Sequence, residues 1–191
     1  MATIQEVIDD YKAEGAESID KDYRDIVDII RKGRYDIEIP NNDYSHALWL
    51  SNLMFQGTSK NIRMLNGISS GCDCFEVLKD SLAIALQRIE RCGGYLKAIF
   101  VGEGDIPGSI VQLREEFGDT IQFITATTSK PIKHFIACDD NKVRLEELHD
   151  RITPDMESDQ IKASVYLNSP ARTRETIEKF DTIWDYLNSS S

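Results

Sequence analysis

Apolar positions recur along this chain with two alternating periods. Residues 4–13 (IQEVIDDYKA) and 19–32 (IDKDYRDIVDIIRK) carry helical spacing. In the second, Ile19, Tyr23, Ile26, Val27, Ile29 and Ile30 form one stripe, read as packing against its own domain, with Gly33 as the stop. "YDIEIP" alternates as a short strand that Pro40 ends. From Asp43 the order becomes regular. "DYSHALWLSNLMFQGTS" predicts a helix capped by Asp43 and stopped at Gly57. "NIRMLNG" predicts a strand, and "SGCDCFEVLKDSLAIALQRIERCGG" a long helix ending at Gly93-Gly94. "YLKAIFVG" is nearly all apolar, the pattern of a central strand buried on both faces. A helix in "IPGSIVQLREEFGD", a strand "TIQFITAT", a strand pair "KPIKHFIACDDNKVRLEE", a strand "IKASVYLNSP" and a terminal helix follow.

Strands alternating with helices predict an α/β fold, a mixed and mostly parallel sheet flanked by helices. The expected organisation is an N-terminal helical arm over residues 1–42, one α/β domain over 43–188, and a short disordered tail at 189–191. The arm is the expected docking surface for a protein partner or a second copy. In "ACDDNKVRL" the Asp139-Asp140-Asn141 run supplies the conformations of a tight hairpin turn.

Charge narrows the function classes. The net charge is −11, made of −6 over residues 1–43, zero over 44–138 and −5 over 139–191. Phosphate contacts need a basic patch, so nucleic acid is not an expected partner. No apolar run nears the roughly 20 residues of a membrane span, and the acidic N-terminus lacks an apolar leader core. The expectation is a cytosolic protein. Cys72, Cys74, Cys92 and Cys138 fit no zinc spacing and read as reduced thiols; no metal or other cofactor is expected.

Three features carry candidate chemistry. His134 sits in the middle of an apolar strand, where an imidazole needs a reason. The loop "NGISSGCDCF" leaves a strand and opens a helix, so Ser69, Ser70 and Gly71, with Asn168, are candidates for ligand binding, the first three on exposed backbone N–H groups that suit anions; an ordinary helix cap by Ser70 or Asp73 is the favoured alternative. "VGEGDIPG", residues 101–108, is a second loop at the same edge. His46 reads as a helix-edge or capping residue, and His149 in "EELHD" as part of a solvated loop rather than a metal ligand.

From about Asp43 to Leu187 the chain resembles one half of a phospholipase D-like domain. "HFIACDDNKVRL" is similar to the family's histidine strand. "ASVYLNSPARTRETIEKFDTIWDYL" is similar to its closing strand and helix, with Asn168, Phe180 and Trp184 in the family's N…F…W pattern. The resemblance implies that His134 attacks phosphorus and forms a phosphohistidine. The family places a lysine two residues after the histidine and an aspartate five residues further on. Here Ile136 stands for the lysine and Asn141 for the aspartate, with Asp140 adjacent. Losing one such charged donor lowers rates by about 10²–10³. Lys133 points to the opposite strand face from His134, so Arg144 on the returning strand is the candidate substitute.

Two functions follow from the resemblance. One is a degenerate, non-catalytic module for binding, regulation or assembly, in a cytosolic and bacterial setting such as defence. The other is a homodimeric phosphodiesterase or nuclease in which two copies of His134 face each other. A plain structural role, with His134 hydrogen-bonded to Asp139, Glu146 or a backbone carbonyl, stands beside both.

Overall fold

The computed structural model describes residues 2–41, 43–68, 73–128 and 132–189. Thr3 starts helix α1 (Ile4–Glu14) with a reciprocal capping box: its hydroxyl accepts from Glu6 N, and the Glu6 carboxylate accepts from Thr3 N. Asp20 caps α2 (Lys21–Gly33). Asp43 caps α3 (Tyr44–Gln56), accepting from His46 N at 3.0 Å, as its position ahead of an apolar run predicts. Helix α4 (Phe75–Arg91) buries Leu78, Leu82, Leu86 and Ile89 along one face. Helices α5 (Gly108–Phe117) and α6 (Pro170–Ser189) complete the set.

The strands are β1 (Ile39–Asn41), β2 (Asn61–Gly67), β3 (Tyr95–Val101), β4 (Ile121–Ala126), β5 (Phe135–Cys138), β6 (Lys142–Glu146) and β7 (Ala163–Tyr166). They form one sheet in the order β1-β7-β6-β5-β2-β3-β4. The sheet is mixed, as expected, but antiparallel pairing is more extensive than the helix–strand alternation suggests. Only β2–β3 and β3–β4 are parallel. The pairs β2–β5, β5–β6, β6–β7 and β1–β7 are antiparallel. Helices α4 and α5 supply the long crossovers that parallel neighbours need, whereas β5 and β6 turn tightly through residues 139–141.

Period-2 alternation sorts the strand side chains between two layers. Ile62, Met64, Leu96, Ala98, Phe100, Ile136 and Cys138 face the core under α1–α5. Leu65, Ile99 and Phe135 face Phe180 and Trp184 of α6. On that second face Arg63 pairs with Asp181 at 2.8 Å and Lys97 lies 4.9 Å from the Trp184 ring. The Phe180 and Trp184 positions singled out in the sequence therefore anchor α6 to the sheet.

The N-terminal segment is helical, and the domain takes it in. Ile4, Val7, Ile8, Val27, Ile30 and Ile39 share the main core, and β1 pairs with β7 as an edge strand. Ile4 N and Gln5 N donate to Met156 and Pro154 carbonyls of the β6–β7 connection. The apolar stripe of α2 divides: Val27 and Ile30 are buried, while Ile26 and Ile29 are 57% and 63% exposed. Among the described residues, no helix is long and apolar enough to cross a membrane.

Candidate functional site

Strands β2 and β3 end, in their parallel sense, at one edge of the sheet, and β5 starts there. His134 immediately precedes β5, so it lies at the strand's start and not in its middle. The ladder still reaches it, because Glu146 N donates to His134 O at 2.9 Å. Its imidazole sits over Gly67 at the end of β2. A Cβ on Gly67 would lie 2.9 Å from His134 Cε1, so the absent side chain is what admits the ring.

Behind His134 is a buried polar network built on β6. Residues two apart on a strand share a face, so Arg144 and Glu146 point the same way. The Glu146 carboxylate is buried and accepts from three groups. His134 Nδ1 and His149 Nε2 each lie 2.9 Å from Oε2, and the Arg144 guanidinium bonds Oε1. The two imidazoles meet edge to face with centroids 4.9 Å apart. Burial alone would raise the Glu146 pKa. The Arg144 charge and the two histidine hydrogen bonds outweigh it and hold the carboxyl well below the usual range.

The network fixes proton positions. His149 Nδ1 lies 2.7 Å from the Asp150 carbonyl while Nε2 faces Glu146. Both partners are acceptors only, so both ring nitrogens must donate, and His149 is an imidazolium. Burial would lower its pKa, but the bonds to Glu146 and to the Asp150 carbonyl raise it overall. His134 donates Nδ1–H to Glu146, and in the neutral ring Nε2 is then a free acceptor.

Two cavities meet at His134. An outer pocket of about 170 Å³ is lined by Gly67, Gly102, His134, His149 and Arg151 among others. Arg151 spans its mouth, donating from Nε to Ile68 O and from a terminal nitrogen to Glu103 O, which ties the ends of β2 and β3 together. An inner chamber of about 60 Å³ lies between Asn66, His134, Arg144 and the α3 and α4 side chains.

The sequence candidates fall into three groups. His134 and Arg144 are brought together, both on Glu146. Arg144 is the cross-strand partner of Ile136, so it occupies the neighbouring position on the same face. It is 3% exposed, however, and bonded to Glu146, which corrects the expectation of a cation presented to a phosphate.

Asp140 and Asn168 are not in this site. β5 runs away from His134, so the 139–141 turn lies at the opposite sheet edge, roughly 16 Å off at the rise of a strand. Asp140 and Asn168 line an open basin there with Arg31, Arg34 and Lys60. Asp139, at φ +53°, accepts from the backbone N–H groups of Ser59, Lys60 and Asn61 and is a structural cap. Ser69, Ser70 and Gly71 lie outside the described residues. His46 stacks on Tyr23 at 3.9 Å and joins α3 to α2, a packing role.

His149 is the residue that sequence reasoning missed. The signal was present as Glu146-x-x-His149, but its connection has no periodicity to place it. His134, Glu146 and His149 each bring one ligand atom within 4.8 Å of the others, a set that could hold a cation. The Arg144 guanidinium on the same carboxylate weighs against one.

No family model matches the sequence, and no curated protein matches it. Solved structures do. One is a phospholipase D family member, Nuc from Salmonella typhimurium, at TM-score 0.52 and 16% identity, covering 78% of this chain and 95% of that one. Another is TrmBL2, an archaeal chromatin protein described as showing a novel mode of DNA binding, at TM-score 0.54 and 12% identity. That match covers 93% of this chain and 64% of TrmBL2. These likenesses are of fold, and the fold is phospholipase D-like.

Proposed function

We propose that this phospholipase D-like domain is a non-hydrolytic binding and assembly module. The observation that carries the reading is the state of Arg144. The cation beside His134 is buried and committed to Glu146, and Ile136 stands where the family carries lysine. Phosphoryl transfer needs positive charge free to follow the charge that develops on the phosphate oxygens. Here a terminal nitrogen of the Arg144 guanidinium is already bonded to the protein's own carboxylate, which fixes the group in place. The other cations lining the outer pocket, His149 and Arg151, also spend N–H groups on protein oxygens. The net charge of −11 argues against a nucleic-acid partner.

In this reading the exposed face of α2, around Ile26 and Ile29, is the assembly surface, and a second copy is its occupant. Across an antiparallel α2 pair centred between these two residues, Asp22 of one copy would face Lys32 of the other. A cytosolic, bacterial setting belongs to the same proposal; the first part rests on the sequence composition and the second on the family resemblance alone.

A second reading, a homodimeric phosphodiesterase, is favoured by one observation: Glu146 holds His134 Nδ1, which in a neutral ring makes Nε2 the acceptor nitrogen, as a nucleophile's would be. The two readings separate in one experiment. The protein and its His134→Ala variant are compared for turnover of bis(p-nitrophenyl) phosphate and for trapping of a phosphoenzyme. Equal, background signals in both are expected. Turnover or labelling that disappears with His134 would establish the second reading.

A further inference from the structure

The inner chamber has polar features that the network behind His134 does not explain. Two buried donors on its wall have no hydrogen-bond partner: Arg144 Nε and Asn66 Nδ2. Arg144 as a residue is 3% exposed, so its Nε cannot be satisfied by bulk solvent. An orphaned buried donor of this kind is destabilising, more so on a charged group. Two on one small wall point to something that accepts from both.

The charge count gives the sign of that partner. Arg144 and His149 are both cationic, and Glu146 is the one buried carboxylate that they share. Among these described groups one positive charge is therefore in excess. A water molecule would satisfy the N–H groups but not the charge. The rest of the wall is largely apolar, with Ala47, Leu48, Leu78 and Ile136, and it also carries Tyr44, Ser51 and the Glu146 carboxylate that Arg144 and the two histidines already hold. The chamber measures about 60 Å³, whereas one water needs about 10–15 Å³. The space fits several heavy atoms, too few for a phosphodiester with its substituents. An acceptor head of charge −1 on a short hydrocarbon tail matches all three properties.

We infer that this chamber is a binding site for a small aliphatic carboxylate, its head on Arg144 Nε and Asn66 Nδ2 and its tail against Ala47, Leu48 and Leu78. The chamber adjoins the outer pocket, since Gly67, His134 and Ile152 line both. The inference deepens the binding-module proposal and rests on it for the ligand class. Phosphodiester turnover tests that proposal and carboxylate binding tests the chamber, so the two can fail separately.

The test titrates the full chain with sodium acetate, propionate and butyrate at ionic strength held constant with sodium chloride. Binding is read by calorimetry and by ligand-observed NMR, with inorganic phosphate as comparator. Saturable binding of at least one of the three acids is expected. Asn66→Leu, which removes one donor, should weaken it at least tenfold. Ala47→Leu, which fills the chamber and leaves both donors in place, should do the same. Should Asn66→Leu not fold, Ala47→Leu and a size limit keep the test decisive: benzoate must fail to compete. Absence of saturable binding, meaning water alone in the chamber, would overturn the inference. So would affinity unchanged in both variants, competition by benzoate, or phosphate binding more tightly than every carboxylate.

Discussion

Replacing Glu146 by Gln removes the charge on which the whole site is built. The side chain keeps its size, but its amide now faces the Arg144 guanidinium and the His149 imidazolium without neutralising either. Breaking a buried ion pair by removing one partner costs about 3–5 kcal/mol, because the other charge stays buried and unpaired. Glu146 is only 8% exposed and serves three donors, which places the expected loss in that range. For a chain of this length each kcal/mol lowers Tm by about 2–4 °C, so the fall should be roughly 6–20 °C. Urea unfolding followed on the buried Trp49 and Trp184 measures it. The pH profile gives an independent readout. His149 has a raised folded-state pKa, so above its unfolded value of about 6.5 the native state holds more protons. Its contribution is complete below that pH and is lost as pH rises through the folded pKa. Glu146 has a depressed pKa, so its contribution is complete above about 4.3 and is lost on acidification. Wild-type stability should therefore peak between about pH 5 and 6.5 and decline toward pH 9. Glu146→Gln should flatten that decline, and Arg144→Met added to it should recover part of the loss. A loss below about 1 kcal/mol, with the alkaline slope unchanged, would refute the network.

Three further outcomes follow from other parts of the molecule. Asp139→Ala leaves three backbone N–H groups without their acceptor and puts Ala at φ +53°; a loss of about 2–3 kcal/mol is expected, with Asp139→Asn losing less, both by chemical denaturation. Gly67→Ala forces the His134 ring to move, since the new Cβ would sit 2.9 Å from Cε1; the His134 NMR resonances should shift while those of His46 stay. Ile29→Asp should dissociate an α2-mediated dimer in sedimentation, and Asp22→Lys with Lys32→Glu should restore what either charge change alone weakens; an unchanged mass for all variants would remove that assembly surface.

Much of the fold was legible because both periods were strong. Asp43 and Gly57 bounded α3 as read, and the alternation in "NIRMLNG" and "YLKAIFV" sent Met64 and Phe100 to one layer and Leu65 and Ile99 to the other. Strand partnership was not legible. Period 2 says that Ile39–Asn41 is a strand but not that its neighbour is β7, some 120 residues on, so the segment before Asp43 read as an arm. The same gap hid how much of the sheet is antiparallel. In the site, Arg144 was found from strand alternation across the hairpin. His149 was not, because residues 147–157 carry neither period and are placed by contacts such as Ile4 N to Met156 O.

The site's central feature is a cation held directly across one strand pairing from Ile136. A lysine at position 136 would share the His134 face, and its flexible ammonium could reach a substrate. Ile136 is 4% exposed there, and the charge stands instead on Arg144, its direct cross-strand partner. A guanidinium is a rigid fork suited to a carboxylate, and Glu146 on the same strand face supplies one. That pairing ties the guanidinium into an internal network. A lysine at position 136 should therefore not confer phosphodiester hydrolysis. In an Ile136→Lys variant the new ammonium would start about 5 Å from Arg144, backbone to backbone, as a second cation in a wall of Leu48, Phe75 and Leu78. Its pKa would fall and it would titrate as a neutral amine, while stability would drop by about 2–4 kcal/mol. Turnover of bis(p-nitrophenyl) phosphate should stay at background in Ile136→Lys. If that variant instead gained a turnover abolished by His134→Ala, charge would have been the one missing element, and the committed state of Arg144 would not be what silences the site.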